Sequence, residues 1–193
     1  MYFNGDGSIM MGSSHGDGYS RLVLNEKVYP DIFVNDLPDV FFTPDCRHVA
    51  FVGAVSGEAW IFVDQNKALK TLTNGHAKLV AVSPDAKRFA YEWDDTDAHR
   101  KFMVVDNVEL RDAGLLMLDF FRFSADSKHY AFVGDTGQYA YSMTLDGKIV
   151  SEQLKNMGPP VLSPVGGRVA CVIRISNTEL YACLLYTSDA ADE

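Results

Sequence analysis

The sequence predicts an all-β fold: a β-propeller fragment of four-stranded antiparallel blades, with about four full blades and a partial fifth. Three observations carry this expectation. A unit of about 40 residues recurs along the chain. Each unit opens on the same strand–turn–strand signature, and its apolar residues alternate with the period of two that marks strands.

The recurring segment reads FFTPDCRHVAFV (Phe41 to Val52), VAVSPDAKRFAY (Val80 to Tyr91), FRFSADSKHYAFV (Phe121 to Val133) and VLSPVGGRVACV (Val161 to Val172). Its hydroxyl residues Thr43, Ser83, Ser124 and Ser163 are spaced 40, 41 and 39 apart. A weaker copy, YFNGDGSIMM, opens the chain, with Asn4 placed 39 residues before Thr43. The spacing predicts blades at approximately 1–38, 39–77, 78–118 and 119–158, with an incomplete one at 159–182.

Each unit begins with a short apolar strand running into a turn at Thr43-Pro44-Asp45, Ser83-Pro84-Asp85, Ser124-Ala125-Asp126 or Ser163-Pro164. Proline presets φ near −65° for the first central turn position, and the flanking hydroxyl and carboxylate can bond nearby backbone N–H groups. The chain leaves through a basic residue (Arg47, Lys87, Lys128) into a second strand. Alanine recurs on that strand at Ala50, Ala90, Ala131 and Ala170. One strand face therefore stays small while the other carries Phe51, Tyr91, Phe132 or Cys171, a pattern suited to sheets stacked face to face. Third strands follow as SRLVLN, AWIFVD, KFMVVD and YAYSMTLD, each ending at an Asp or Asn turn. A more polar fourth strand completes the unit, as in KALKTLT (Lys67 to Thr73) and KIVSEQL (Lys148 to Leu154). Four strands in 40 residues make one propeller blade.

The string strand-Ser-Pro-Asp-x-Lys-strand, followed by a strand closing on Val-Val-Asp, resembles the WD-repeat-like (TolB-type) β-propeller family. That family also includes the propellers of prolyl-oligopeptidase-type peptidases, and the resemblance extends to Ala182. The chain departs from it where a glycine usually follows the Asp: Cys46, Ala86 and Ser127 stand there, and Val165 replaces the Asp of the last unit. The Gly-His and Trp-Asp signatures of eukaryotic WD repeats are missing. Four full units and part of a fifth suggest a truncated ring of six to eight blades, with a small closed ring as the alternative, and the resemblance favours a periplasmic or extracellular location. Met1 to Gly18 is polar and glycine-rich and does not read as a secretory signal.

The last eleven residues, CLLYTSDAADE (Cys183 to Glu193), resemble translated read-through of a transposase sequencing adapter. They are therefore set aside from fold reasoning. Cys46, Cys171 and Cys183 lack metal-ligand spacing and are too few for a disulfide framework.

The chain has 193 residues, 47% hydrophobic and 22% charged, as ordinary globular domains do. No apolar run approaches the roughly 20 residues of a membrane-spanning helix. A net charge of −9 with no basic block argues against a nucleic-acid partner.

Four sets of residues are candidates for chemistry. Gly12-Ser13-Ser14-His15-Gly16 matches the pattern G-x-S-x-G. A nucleophile needs a strand before that serine and a helix after it, whereas this stretch is expected in a loop between two strands. Asp94, Asp95 and Asp97, with Glu92 nearby, gather the oxygens that a hard cation favours, but they lack the glycine and distal glutamate of a calcium loop. His48 and His129 share one repeat position, which favours a scaffold role, because equivalent positions of different blades are far apart around a ring. Trp60, Trp93, Tyr139 and Tyr141 fall on strand periodicity and are expected in the core.

The expected function is that of a non-catalytic, bacterial-type propeller scaffold that binds a protein or small ligand at its loops and channel mouth, with no cofactor. The alternative is the substrate-gating propeller of a larger prolyl-oligopeptidase-like serine peptidase. A metal-dependent propeller enzyme would need His or carboxylates on the innermost strands VFFT, LVAVS, FRFS and VLS, which carry none. An unclosed ring would expose the apolar faces of its terminal blades and make the chain prone to association.

Overall fold

The computed structural model describes residues 2–3, 5, 7–8, 10–16, 19–34, 40–98, 100–110, 115–116, 120–137, 140–151, 157–174 and 180–186. Asn4, Tyr139 and the tail beyond 186 lie outside these. Within them the chain is all-β. The first sheet holds β1 (Tyr2–Phe3), β2 (Met10–Gly16), β3 (Tyr19–Leu24) and β4 (Lys27–Phe33), then β5 (Val40–Phe42), β6 (Val49–Val55), β7 (Glu58–Val63) and β8 (Asn66–Lys70). Its order is β1-β2-β3-β4-β6-β7-β8, with β5 also on β6. These are two four-stranded antiparallel blades, joined through the pair Phe33↔Ala54.

The second sheet comprises β9 (Gly75–Val82), β10 (Phe89–Asp95), β11 (Arg100–Val105) and β12 (Val108–Leu110), in the order β12-β11-β10-β9. The third has β13 (Leu115–Leu116), β14 (Arg122–Phe123), β15 (Tyr130–Gly137), β16 (Ala140–Leu145) and β17 (Lys148–Ile149). Its first strand is broken in two: Leu115 and Leu116 pair with Asp135 and Gly134, whereas Arg122 and Phe123 pair with Ala131 and Tyr130. The fourth is β18 (Val161–Leu162), β19 (Arg168–Arg174) and β20 (Leu180–Tyr186). Each sheet thus repeats the antiparallel strand pattern of a propeller blade.

Two stretches differ from the sequence expectation. Gly12–Gly16 is not a loop but part of β2, in register with Tyr19–Val23 of β3. The apolar run of β3 supplies a pairing template that draws in a glycine- and serine-rich neighbour of low intrinsic strand preference. Residues 183–186, set aside above, form the second half of β20, where Cys183 lies opposite Cys171. The run Tyr181-Ala182-Cys183-Leu184-Leu185-Tyr186 has the residue types that strands favour, whatever its origin.

By compactness the chain divides into two units, residues 1–100 with 105–107 and residues 101–104 with 108–193. Both show the same packing rule. In the first unit Met11, Leu22 and Leu24 of the first blade meet Val49, Phe51 and Phe62 of the second. In the second unit Ala131, Val133, Met143 and Leu145 meet Val169 and Cys171 of the terminal blade. By repeat position, the face that carries the recurrent alanine (Met11 in the first blade, Ala131 in the fourth) packs on the opposite, reverse face of the next blade. Burial of the Val, Leu, Met and Phe side chains among these, each worth about 1.5–3 kcal/mol, is the main source of cohesion between blades. Phe51 stacks on Phe62 with ring centroids 5.3 Å apart, and Phe121 stacks on Tyr130 and Phe132.

Candidate functional site

The recurrent polar residues assemble one small network in each of the second, third and fourth blades. In the second blade Thr43 N–H donates to the His48 carbonyl (3.0 Å) and Cys46 N–H to the Thr43 carbonyl (2.9 Å). The Thr43 hydroxyl donates to Asp45 Oδ1 (2.7 Å) and accepts from His48 N–H (3.1 Å), and Asp45 Oδ1 also accepts from Arg47 N–H (3.1 Å). The third blade repeats every bond with Ser83, Asp85, Lys87 and Arg88, and the fourth with Ser124, Asp126, Lys128 and His129. The fourth-blade turn has Ala125 where the others have proline, yet its bonds are the same. The hydroxyl–carboxylate pair, more than the preset φ of proline, therefore holds the turn. The terminal blade keeps the Ser163 bonds to Arg168 and Gly166. Val165 offers no acceptor at the Asp position, and Pro164 instead receives a hydrogen bond from Asp126 N–H (3.2 Å).

A second carboxylate completes the network in the second, third and fourth blades. Asp64, Asp106 and Asp146 close the third strand, and their Oδ1 atoms accept from Val49, Phe89 and Tyr130 N–H at 3.1, 3.0 and 3.0 Å. Their Oδ2 atoms hold His48 Nδ1, Arg88 Nε and His129 Nδ1 at 2.9, 2.8 and 2.7 Å. In the first blade Asn25 takes the place of these aspartates and accepts from Met10 N–H at 2.8 Å. These residues do two jobs at once. At Asn25–Glu26, Asp106–Asn107 and Asp146–Gly147 both central turn residues have positive φ, as a type I′ hairpin requires, and Asn and Asp tolerate that region while presenting an acceptor. The sequence marks each of them only as the last residue of a strand; their pairing with the basic or His position across the blade is the signal that was missed. Two third-blade contacts reach further: the Tyr91 hydroxyl donates to Asn107 Oδ1 at 2.7 Å, and Asn107 Nδ2 donates to the Lys70 carbonyl at 3.0 Å.

The residue after each turn carboxylate position is left-handed throughout: Gly7, Cys46, Ala86, Ser127 and Gly166 have φ of 73°, 59°, 57°, 64° and 77°. Glycine suits that position because it has no Cβ to crowd the following carbonyl. At Gly166 a Cβ would also overlap the His129 ring. Ala86→Gly is therefore expected to stabilise the chain by about 0.5–1 kcal/mol: relief of the left-handed strain exceeds the added freedom of the unfolded chain. Urea denaturation of the variant reads this directly, and a lower midpoint would contradict it.

The turn carboxylates are tuned by the same bonds. Asp45 and Asp126 lie below the ordinary carboxylate range, first because the Thr43 or Ser124 hydroxyl donates to them and next because the Arg47 or Lys128 N–H does. A carboxyl lowered on folding adds stability that is fully present above its unfolded value, about 3.9, and is lost as pH falls through the lower folded value. The contribution of this pair is thus expected to stay level from neutral pH to about pH 4 and to disappear only below it. In a denaturation series against pH, Asp45→Asn with Asp126→Asn should flatten the acid limb; an unchanged limb would contradict this origin.

The remaining candidates are dispersed. Asp95 Oδ1 accepts from Asp97 N–H (3.1 Å) and Ala98 N–H (2.9 Å), an Asx-type loop, while Asp97 is exposed. Among the described residues no group of three or more His, Cys, Asp or Glu is placed to hold a metal ion. Gly12–Gly16 runs as extended strand and lacks the strand–turn–helix geometry of a nucleophile. Trp93 is buried, and Trp60 and Tyr141 pack at the margins of the core clusters. Lys67 and Lys70 lie over the Trp60 ring, at 4.7 and 5.9 Å from its centroid.

No family model matches the chain, and no curated protein does. Among solved structures, TolB from Acinetobacter baumannii is 15% identical with a TM-score of 0.46, over 91% of this chain and 49% of that one. A structure described as a TolB of Agrobacterium tumefaciens is 15% identical with a TM-score of 0.42, over 92% of this chain and 76% of that one. The chain therefore spans about half the length of the Acinetobacter baumannii protein. The fold assignment itself rests on the repeated blades.

Proposed function

We propose that this chain is a non-catalytic β-propeller scaffold that binds a protein or a small ligand through the loops at its blade ends. The observation that carries this reading is how the recurrent polar groups are used. Thr43, Ser83, Ser124 and the aspartates with them are all bonded within their own blades, in one geometry repeated three times. Groups consumed in this way set the backbone. The segments that differ between blades, such as 55–58 and 95–100, are left to carry specificity, the usual division between scaffold and loops. Binding sites of such scaffolds are identified by their loops and not by the fold.

A photo-cross-linking residue at Asp97, in a loop, compared with one at Lys148, on an outer strand, tests this in the full chain. Specific cross-linking of one partner at position 97 and not at 148 is the expected result. Equal labelling at both positions, or turnover of peptide substrates by the purified chain, would overturn it.

A further inference from the structure

We infer that Asn74 is a site of self-modification: in the folded chain its side-chain amide closes on the Gly75 nitrogen, releases ammonia and leaves aspartate or isoaspartate at position 74. The backbone dictates both residues. Asn74 has a φ of 69°, in the left-handed region that Asn tolerates better than most residues with a side chain. Gly75 opens β9 opposite Asp95, and a Cβ there would overlap the Trp93 ring and the Asp94 carbonyl, so glycine is the residue that fits. The fold thus requires the one neighbour whose nitrogen no side chain shields from attack.

Position 74 also leaves the side chain free to react. Asn74 is exposed, and among the described residues its amide has no hydrogen-bond partner; the Thr96 hydroxyl holds only the Asn74 backbone carbonyl, at 2.9 Å. Asn25 and Asn107 share the left-handed backbone, with φ of 48° and 64°, but not this freedom. Asn25 Oδ1 accepts from Met10 N–H, and the Asn107 amide is bonded at both ends, to the Tyr91 hydroxyl and the Lys70 carbonyl. Asn25, Asn66 and Asn107 are also followed by Glu26, Lys67 and Val108, whose side chains crowd the attacking nitrogen. Gly75 with Asp95 is the last pair of the β9–β10 ladder, so fraying of a strand end, which costs little free energy, releases the nitrogen.

The reaction balances without a cofactor. Solvent base takes the Gly75 N–H proton, the nitrogen forms a bond to Asn74 Cγ, and the bond from Cγ to the amide nitrogen breaks, ammonia leaving with a proton from water. Water then opens the cyclic imide at either carbonyl, giving aspartate or an isoaspartate whose main chain runs through Cβ. Both products put a new carboxylate at the entry to β9, across the ladder from Asp94 and Asp95. Isoaspartate also lengthens the chain there by one methylene and displaces the carbonyl that Thr96 holds.

Peptide mapping by mass spectrometry tests this on the full folded chain, incubated in mildly alkaline buffer until half of a synthetic 71–78 peptide beside it has converted. Cleavage after Lys70 and Lys78 isolates position 74 in the segment 71–78, where it is the only Asn. In the folded chain that segment is expected to gain the mass of an amide-to-acid change and to separate into aspartyl and isoaspartyl forms, at a rate within about tenfold of the free peptide. The segments that hold Asn25, Asn66 and Asn107 should remain unchanged over the same period. Conversion at position 74 slower than the peptide by more than about tenfold would overturn the inference, because the fold would then protect the site. Conversion of Asn25, Asn66 or Asn107 at the rate of Asn74 would overturn it as well.

Discussion

Phe51→Ala is expected to destabilise the first compact unit by about 3–5 kcal/mol, the range for a fully buried aromatic whose site cannot collapse. Phe51 is 0% exposed, stacks on Phe62 and lies against Met11, Leu22 and Leu24 of the neighbouring blade. Truncation would open a cavity between two sheets held at their spacing by backbone ladders, so relaxation can fill little of it. The equivalent position in the terminal blade is Cys171, already small. Cys171→Ala should accordingly cost only about 1 kcal/mol, the scale of a single lost heavy atom in a core. Urea midpoints for the two variants check the contrast, and similar losses would mean that the repeat positions are not equivalent.

Asp106→Ala is expected to cost about 2–4 kcal/mol, because it removes an ion-pair partner of the Arg88 guanidinium and the side-chain acceptor of Phe89 N–H. The Arg88 and Asp106 side chains are only about a third exposed, so solvent replaces the lost contacts incompletely. Asp106→Asn should retain most of the stability, at a cost of roughly 1 kcal/mol, since the amide oxygen can still accept from Phe89 N–H. The first blade shows that arrangement directly, with Asn25 receiving Met10 N–H. Thermal or urea unfolding distinguishes the two variants. If Asn were as damaging as Ala, the Oδ2 ion pair with Arg88 would carry the effect, and the backbone bond would not.

Much of the fold was legible because a repeat multiplies weak signals. One Thr-Pro-Asp or period-two strand says little; hydroxyls at positions 43, 83, 124 and 163, each ahead of an alanine-centred strand, specify a blade. Four features were not legible. The pairing of Gly12–Gly16 depends on the partner strand Tyr19–Leu24, a tertiary influence that overrides local composition. The break between β13 and β14 puts Leu115 and Leu116 opposite Asp135 and Gly134, a register that no periodicity announces. Asp64, Asp106 and Asp146 read as turn residues, and their grip on His48, Arg88 and His129 appears only when strands two and three lie side by side. The tolerance of Cys46, Ala86 and Ser127 for left-handed backbone likewise shows only in the folded turn.

The most direct measurement is amide hydrogen exchange by NMR at Met10, Val49, Phe89 and Tyr130, the four N–H groups held by a side-chain oxygen from the third-strand turn. If such a contact locks each of the first four blades, all four should exchange as slowly as the strand interiors beside them, and Asp106→Ala should release Phe89 selectively. Exchange of the four at the rate of exposed loops, or release of all four together by that single substitution, would contradict a lock repeated blade by blade.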